Sequence, residues 1–116
     1  MKTMNYVSYP VYNYTTWGTR STLKTTVKGM MDTLHVMYGR EKSFYGKAHV
    51  IATEKAVYLV SYETIVCKIE DNKLVKLWGG YSDTTKRHIN EFIRQYGHCI
   101  ETLNKKQWEN LEKGDY

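Results

Sequence analysis

The stretch between residues 81 and 97 constrains the fold most, because it carries the clearest helical pattern in the sequence. Its apolar side chains recur at i, i+3, i+4 and i+7, the spacing of one helix face. They are Ile89, Phe92, Ile93 and Tyr96. Ser82 or Asp83 can cap the start of the helix, and Gly97 can adopt the left-handed conformation that ends it. We therefore expect a helix over about residues 83–96 that packs against other structure.

The polar residues of this helix predict a face in contact with solvent. They are Arg87, Asn90, Glu91 and Arg94. Glu91 is spaced for weak ion pairs with Arg87 and Arg94, each contributing about 0.3 kcal/mol. His88 lies beside the apolar stripe, where a lone histidine is typical of a buried, hydrogen-bonded structural residue. The alternative is that His88 acts as a general base.

The residues before this helix alternate and turn as strands of a meander do. The predicted strands are 47–53, 56–62, 63–70 and 73–78. In the third of them, strict alternation places Ile65, Cys67 and Ile69 on one face of the sheet. Asp71 and Asn72 both tolerate positive φ, so they predict a two-residue hairpin turn between the last two strands.

Residues 21–38 fit two interpretations. Leu23, Val27 and Leu34 match a helical stripe, but β-branched residues are frequent here and Gly29 would weaken a helix. Two strands with a turn near residues 29–32 fit as well. We favour strands, and the sequence leaves both interpretations open.

The last segment predicts a short helix over about residues 105–112. Asn104 can cap it, and Trp108 is its expected anchor, because a helix this short is not stable unless it docks. The fold class is therefore α+β, with an antiparallel β-meander, one main helix packed on it and a short C-terminal helix. At 116 residues we expect a single domain. It comprises an N-terminal arm or edge strand (1–20), mainly strands (21–80) and helices (81–112).

The first residues are rich in tyrosine and positive charge. The chain holds eleven tyrosines against two phenylalanines, its net charge is +5, and residues 1–31 contain no acidic side chain. Aromatic rings among cations are typical of surfaces that bind single-stranded nucleic acid or protein. The predicted partner-binding residues are Tyr6, Tyr9, Tyr12, Tyr14, Trp17, Arg20, Lys24 and Lys28. The alternative is that these rings cover the domain's own sheet.

A second candidate site is the start of the main helix, where backbone N–H groups and the helix dipole favour anions. Its residues are Ser82, Thr84, Thr85 and Arg87. The competing interpretation is ordinary capping by a hydroxyl-rich turn. The sequence offers no recognisable catalytic constellation, metal-ligand spacing or cofactor motif, so we expect neither an enzyme nor a bound cofactor or metal. No apolar run approaches a membrane span, and we expect a cytoplasmic protein.

Four segments carry a family resemblance: SFYGKA at 43–48, SYETIV at 61–66, residues 77–92, and KKQW at 105–108. The most specific part is the pattern Y-S-x-T-T-x-x-H-I-N-x-F at residues 81–92. Together they resemble a family of short, uncharacterised proteins carried by phages, plasmids and bacteria, over about residues 43–112. The resemblance implies a mobile-element setting but no activity. Small proteins without catalytic motifs in that setting include inhibitors of host defence such as anti-CRISPR proteins.

We therefore expect a non-enzymatic inhibitor that binds a host defence effector, such as a CRISPR-associated complex, or its nucleic acid. A basic protein cannot imitate nucleic acid, so its partner would be an acidic protein patch, or guide RNA or DNA bound together with the effector. The alternatives are a nucleic-acid-binding accessory protein and a protein that sequesters a nucleotide signal at the start of the main helix.

Overall fold

The computed structural model describes residues 5–14, 17 and 19–116, and only the backbone of Tyr14. Six described strands form one sheet in the order β1-β2-β3-β4-β5-β6, and each neighbouring pair is antiparallel. The strands are β1 Asn5–Tyr14, β2 Arg20–Thr33, β3 Ala48–Ala52, β4 Ala56–Ser61, β5 Thr64–Glu70 and β6 Lys73–Lys76. The helices are α1 Asp83–Tyr96 and α2 Lys105–Asn110. The predicted α+β meander is confirmed.

Helix α1 begins as predicted and ends differently. The hydroxyl of Ser82 accepts a hydrogen bond from the backbone N–H of Thr85 at 3.1 Å, which is an N-cap. Gly97 caps the other end through a 2.8 Å hydrogen bond from its N–H to the carbonyl of Ile93. The expected left-handed conformation of Gly97 is wrong, because its φ is −100°. The left-handed residue lies two positions later, at Cys99, with φ 64°.

The apolar stripe of α1 covers one face of the sheet. Ile89, Phe92 and Ile93 are at most 3% exposed, whereas Tyr96 lies at the margin of the interface and is 37% exposed. The sheet side of this helix-covered cluster includes Leu34, Ala48, Val50, Leu59, Val66, Cys67 and Ile69. Each fully buried side chain of the stripe contributes about 1.5–3 kcal/mol before entropy costs.

The other face of the sheet is covered by the β1–β2 hairpin. β1 pairs with β2 at the edge of the sheet. The hydroxyl of Tyr9 on β1 nevertheless reaches the turn between β4 and β5, where it donates a hydrogen bond to the carbonyl of Glu63. Val7, Tyr9 and Val11 pack against a second buried cluster. The members of this hairpin-covered cluster are Val27, Ile51, Ala56, Tyr58, Val60, Ile65 and Leu77. The sheet therefore curls, and its central strands are buried on both faces.

Residues 20–33 form one long strand. The strand interpretation is confirmed, but the turn expected near residues 29–32 is wrong, because β2 continues through it to Thr33. A Cβ atom on Gly29 would lie 2.3 Å from the carbonyl oxygen of Ala52 on β3. Glycine thus permits a close approach between strands at this position, which is a known role of glycine inside a sheet.

A bulge in β5 shifts its alternation by one residue. Two consecutive residues of β4 pair with Cys67 and Ile65, so Val66 between them is an extra residue. The predicted common face of Ile65, Cys67 and Ile69 is therefore wrong. Ile65 joins the hairpin-covered cluster, while Cys67 and Ile69 join the helix-covered one.

The ends of the meander agree with the sequence pattern. Asp71 and Asn72 have φ of 52° and 57°, as the two-residue turn requires. Asn104 caps α2 in a reciprocal capping box, although α2 is shorter than predicted and ends at Asn110. Trp108 is 2% exposed and anchors this helix, and the ammonium group of Lys76 donates to the carbonyl of Trp108 at 3.0 Å.

Candidate binding surfaces

The outer side of the β1–β2 hairpin is an exposed surface of large apolar side chains. Tyr6 is 67% exposed and Leu23 is 57% exposed, and Trp17, which follows β1 and precedes β2 at the end of the hairpin, is 91% exposed. Register pairs Tyr6 with Met30 and Tyr12 with Leu23 across the two strands. We call this the hairpin surface, and it consists of Tyr6, Tyr12, Trp17, Arg20, Leu23, Lys28 and Met30.

The cations predicted for this region take different positions. The guanidinium of Arg20 stacks 4.7 Å from the centre of the Tyr12 ring, and Lys28 is exposed between the apolar side chains. Lys24 instead places its ammonium 5.1 Å from the ring of Tyr116. Among the described hairpin residues, the acidic side chain is that of Asp32, which accepts a hydrogen bond from the Thr33 N–H.

Two predicted aromatic residues are not seen on this surface. Tyr9 turns toward the sheet and bonds to Glu63, so its ring helps to cover the domain's own core. The side chain of Tyr14 lies outside the described residues. The structure thus combines the two interpretations of the N-terminal aromatics, since one ring covers the sheet and others face outward.

The residues predicted to bind an anion at the start of α1 do not converge on one point. The hydroxyl of Ser82 is used by the helix cap, and that of Thr85 is buried and bonded to Ser61 at 3.0 Å. Arg87 reaches across to the carboxylate of Glu41 at 3.2 Å. Thr84 and Arg87 instead line a cavity beside the helix.

His88 lies at the inner wall of that cavity and is 1% exposed. Its Nδ1 lies 2.8 Å from the hydroxyl of Ser61, and its ring meets Phe44 edge-on at 4.5 Å between centroids. Burial lowers the pKa of His88 to about 4, although the nearby carboxylate of Glu41 opposes this shift. The imidazole is therefore neutral at physiological pH, which fits the structural role favoured by the sequence.

Glu91 holds the loop after β2 against α1. The sequence placed it on the solvated face, and this prediction is wrong, because Glu91 is 0% exposed. Its carboxylate accepts hydrogen bonds from the backbone N–H groups of Tyr38 and Gly39, at 3.1 and 2.7 Å, and from the side chain of Gln95 at 2.7 Å. Burial acts to raise the pKa of Glu91, but these hydrogen bonds outweigh it, and the pKa lies below its ordinary value.

Asn90 also departs from the expected solvated face. Its side chain makes two hydrogen bonds with the backbone of Leu103, at 2.8 and 2.9 Å, which tie the segment before α2 to α1. Of the four polar residues predicted to face solvent, Arg87 and Arg94 are exposed.

The loop held by Glu91 creates two adjoining cavities along α1. The larger has a volume of about 450 Å³ and the smaller about 260 Å³. Both are lined by Glu41 and Arg87, so the ion pair between these residues lies where the cavities meet. The larger is lined by Tyr45, Tyr62, Lys42 and Lys47, and the smaller by Tyr38, Arg40, Asn90 and Arg94. We call the two cavities together the loop–helix trough.

Two tyrosines at the rim of the trough have an unusual backbone. Tyr45 and Tyr62 have φ of 53° and 57°, in the left-handed region that side chains larger than glycine seldom adopt. Their side chains are 76% and 52% exposed. Left-handed non-glycine residues cost free energy and concentrate at binding sites, so we treat this pair as a candidate contact surface.

The sequence model of a family of unknown function (DUF8033) matches residues 33–110. The chain belongs to this family. No curated protein and no solved structure matches the chain. The family match includes the whole loop–helix trough, whereas β1 and all but the last residue of β2 precede it. The two candidate surfaces therefore lie in different parts of the chain, one within the family region and one before it.

Sequence reasoning missed most of the trough within this family region. It identified Thr84 and Arg87, but not Tyr38, Tyr45 or Tyr62. The available signal was the position of these tyrosines in turns and loops beside Gly39, Gly46 and the β4–β5 turn, where an aromatic side chain is not needed for a strand. Their convergence with Arg87 depends on long-range contacts that the sequence does not display.

Within the described part of the chain, no group of three or more His, Cys, Asp or Glu residues is placed to hold a metal ion. Neither described helix has both the length and the apolar character that crossing a membrane would require.

Proposed function

We propose that this protein is a non-enzymatic inhibitor of a host defence system, acting in the bacterial cytoplasm on behalf of a phage or mobile element. Its partner would be a defence effector such as a CRISPR-associated complex, engaged as protein or together with its nucleic acid. The single observation that supports this proposal best is the hairpin surface. Trp17 and Tyr6 are 91% and 67% exposed there, beside the exposed cations Arg20 and Lys28.

The composition of the hairpin surface favours a protein partner. Trp, Tyr and Arg are the residue types that most often dominate binding energy at interfaces. Large rings lose little conformational entropy on binding and bury much area. Arg20 and Lys28 give the surface a positive charge, so an acidic patch on the partner would complement it. The same sign excludes imitation of nucleic acid as the means of inhibition.

The buried polar groups support a function without catalysis. Ser61 and His88 form a short serine–histidine contact, at 2.8 Å between the hydroxyl oxygen and Nδ1. Ser61 is 2% exposed and also bonds to Thr85, so its hydroxyl is closed to a substrate. Burial raises the pKa of the Cys67 thiol, which disfavours the reactive thiolate.

The mobile-element setting rests on the resemblance carried by residues 81–92, and the family match at residues 33–110 is consistent with an uncharacterised family. A small binding protein in that setting has a natural role as an inhibitor.

The test is co-purification of the tagged protein with candidate CRISPR effectors, each with and without nuclease. We expect a complex that survives nuclease if the contact is with protein. The variant Trp17→Ser/Tyr6→Ser removes two exposed rings and should weaken the complex at least about 10-fold, because hot-spot truncations commonly cost 2 kcal/mol or more.

Met37→Ser is the matched control, because Met37 is 68% exposed and lies outside the hairpin. It should leave the complex unchanged. Failure of the wild-type protein to bind or inhibit any effector of its host would overturn the proposed function. If both variants lost the same affinity for the effector, the hairpin surface would not be the contact surface.

A further inference from the structure

We propose that the loop–helix trough is a binding site for single-stranded nucleic acid. It lies within the family region and uses residues different from those of the hairpin surface. The inference therefore does not depend on the inhibitory function proposed above.

The charge of the trough favours a polyanion. Five cationic side chains line its two cavities, against one carboxylate. The cations are Arg40, Lys42, Lys47, Arg87 and Arg94, and the carboxylate is Glu41. Glu41 is already paired with Arg87 at 3.2 Å. Helix α1 carries two further acidic side chains, and neither lines the cavities. Glu91 is turned inward and satisfied by hydrogen bonds, and Asp83 accepts a hydrogen bond from the Tyr81 hydroxyl at 2.8 Å.

The aromatic rings of the trough match the bases of a strand. Tyr38, Tyr45 and Tyr62 are 61%, 76% and 52% exposed, and they are distributed over both cavities. Stacking of a base on such a ring contributes about 1–3 kcal/mol and tolerates any base. A positively charged groove that also presents aromatic rings is the arrangement by which proteins hold single strands without reading their sequence.

The extent of the trough favours a strand over a mononucleotide. Its cavities of about 450 and 260 Å³ adjoin at the ion pair between Glu41 and Arg87. A single cavity of the larger size suffices for a small ligand. Two adjoining cavities, the larger lined by two tyrosines and the smaller by one, and each with cations of its own, provide for successive nucleotides.

The loop that forms one wall of the trough is held in place before any ligand arrives. Glu91 fixes the backbone of Tyr38 and Gly39, and Gln95 donates to the carbonyl of His35 at 2.7 Å. The rings and cations of this loop are thus presented without the entropy cost of ordering the loop on binding, which favours affinity. Glu91 is in this sense a positioning residue for the trough.

The experiment is fluorescence anisotropy of the full chain with a labelled oligothymidylate of about 12 nucleotides, a length within the range that small single-strand-binding domains cover. We expect saturable binding that weakens as salt rises. If three phosphates are contacted, the affinity should fall about 20-fold between roughly 50 and 200 mM salt. An oligouridylate of the same length should bind comparably, since stacking and phosphate contacts do not require a particular sugar.

The trough variant is Lys47→Glu/Arg94→Glu, which reverses one exposed cation in each cavity. We expect it to bind the oligonucleotide at least about 10-fold more weakly, because two phosphate contacts are lost and the new carboxylates repel the phosphates. Lys55→Glu/Lys106→Glu reverses two exposed lysines outside the trough, so it matches the change in net charge, and it should bind nearly as wild type. Circular dichroism establishes that each variant is folded, and Tyr45→Ser tests stacking without changing charge.

The outcomes separate the alternatives. Equal loss of affinity in the trough variant and the Lys55→Glu/Lys106→Glu control would overturn the site, as would the absence of binding at low salt. If thymidine monophosphate displaces the oligonucleotide at equal concentration, the trough binds a mononucleotide and the proposed binding of a strand is wrong. Preference for duplex over single strand would also overturn it. Retained oligonucleotide binding in the hairpin variant Trp17→Ser/Tyr6→Ser would support it.

Discussion

His88 links the stability of the fold to pH. Its pKa is about 4 in the folded chain, against an ordinary value of 6.5. Below pH 6.5 the unfolded chain therefore takes up a proton that the folded chain refuses, and folding becomes less favourable. From this residue alone we expect the free energy of unfolding to fall by about 2 kcal/mol between roughly pH 7.5 and pH 5. Urea unfolding at several pH values in that window measures it.

His88→Gln is the informative variant, because it removes the titrating group. It should flatten the decline over the same pH window, even if its stability at neutral pH is lower. His35→Gln, at an exposed position, should retain the decline. A decline of the same size in His88→Gln and wild type would contradict this account.

Glu91 shows which residues the sequence could not place. Its spacing from Arg87 and Arg94 predicted surface ion pairs, but its carboxylate accepts hydrogen bonds from Gln95 and from backbone N–H groups more than fifty positions away. Helical periodicity assigns a residue to a face, and it cannot show that a distant loop lies on that face. His88 was different, because its position beside the apolar stripe sufficed to predict burial.

Among the elements, β2 approaches β3 closely where Gly29 lies beside Ala52. An alanine Cβ there would lie 2.3 Å from the carbonyl oxygen of Ala52 and 2.9 Å from its carbonyl carbon. Both atoms belong to the backbone of β3, so relief requires the strands to separate. We expect Gly29→Ala to lower the free energy of unfolding by about 1–3 kcal/mol, the usual cost of overpacking, as measured by urea unfolding at neutral pH.

Gly79→Ala is the matched control for this substitution. A Cβ atom at Gly79 would make an ordinary 3.6 Å contact with the side chain of Lys113, so the change should be nearly neutral. If the two alanine variants were equally stable, close approach would not be the reason for glycine in β2.

The two helices and the turn between β5 and β6 could be predicted because their signals are local. Ser82 and Asn104 cap the helices that follow them, and the Asp71-Asn72 turn depends only on the conformations its own residues allow. The path of β2 and the bulge at Val66 could not be predicted in this way, since both arise from contacts between strands. The candidate sites divide similarly: exposure of the hairpin was expected, and the trough was not.

In the whole molecule, the hairpin has two separable roles, since its inner side covers the core and its outer side faces solvent. The family match begins at residue 33, yet the hairpin-covered cluster depends on side chains that precede it. Val27 is a buried member, and Val7, Tyr9 and Val11 pack against it. A chain of residues 33–116 would expose the remaining apolar members, which include Ile51, Val60, Ile65 and Leu77.

We therefore expect the chain of residues 33–116 to bind a hydrophobic dye and to associate, because an exposed apolar face of this kind favours intermolecular contact. Dye fluorescence and light scattering of the purified chain measure both effects. The full-length variant Trp17→Ser/Tyr6→Ser is the control, since it changes the outer side of the hairpin and leaves the inner side covered. It should remain unassociated. If the 33–116 chain were monomeric and bound no dye, residues 33–116 would cover the second face of the sheet without the hairpin. The hairpin would then be needed for partner binding and not for covering the core.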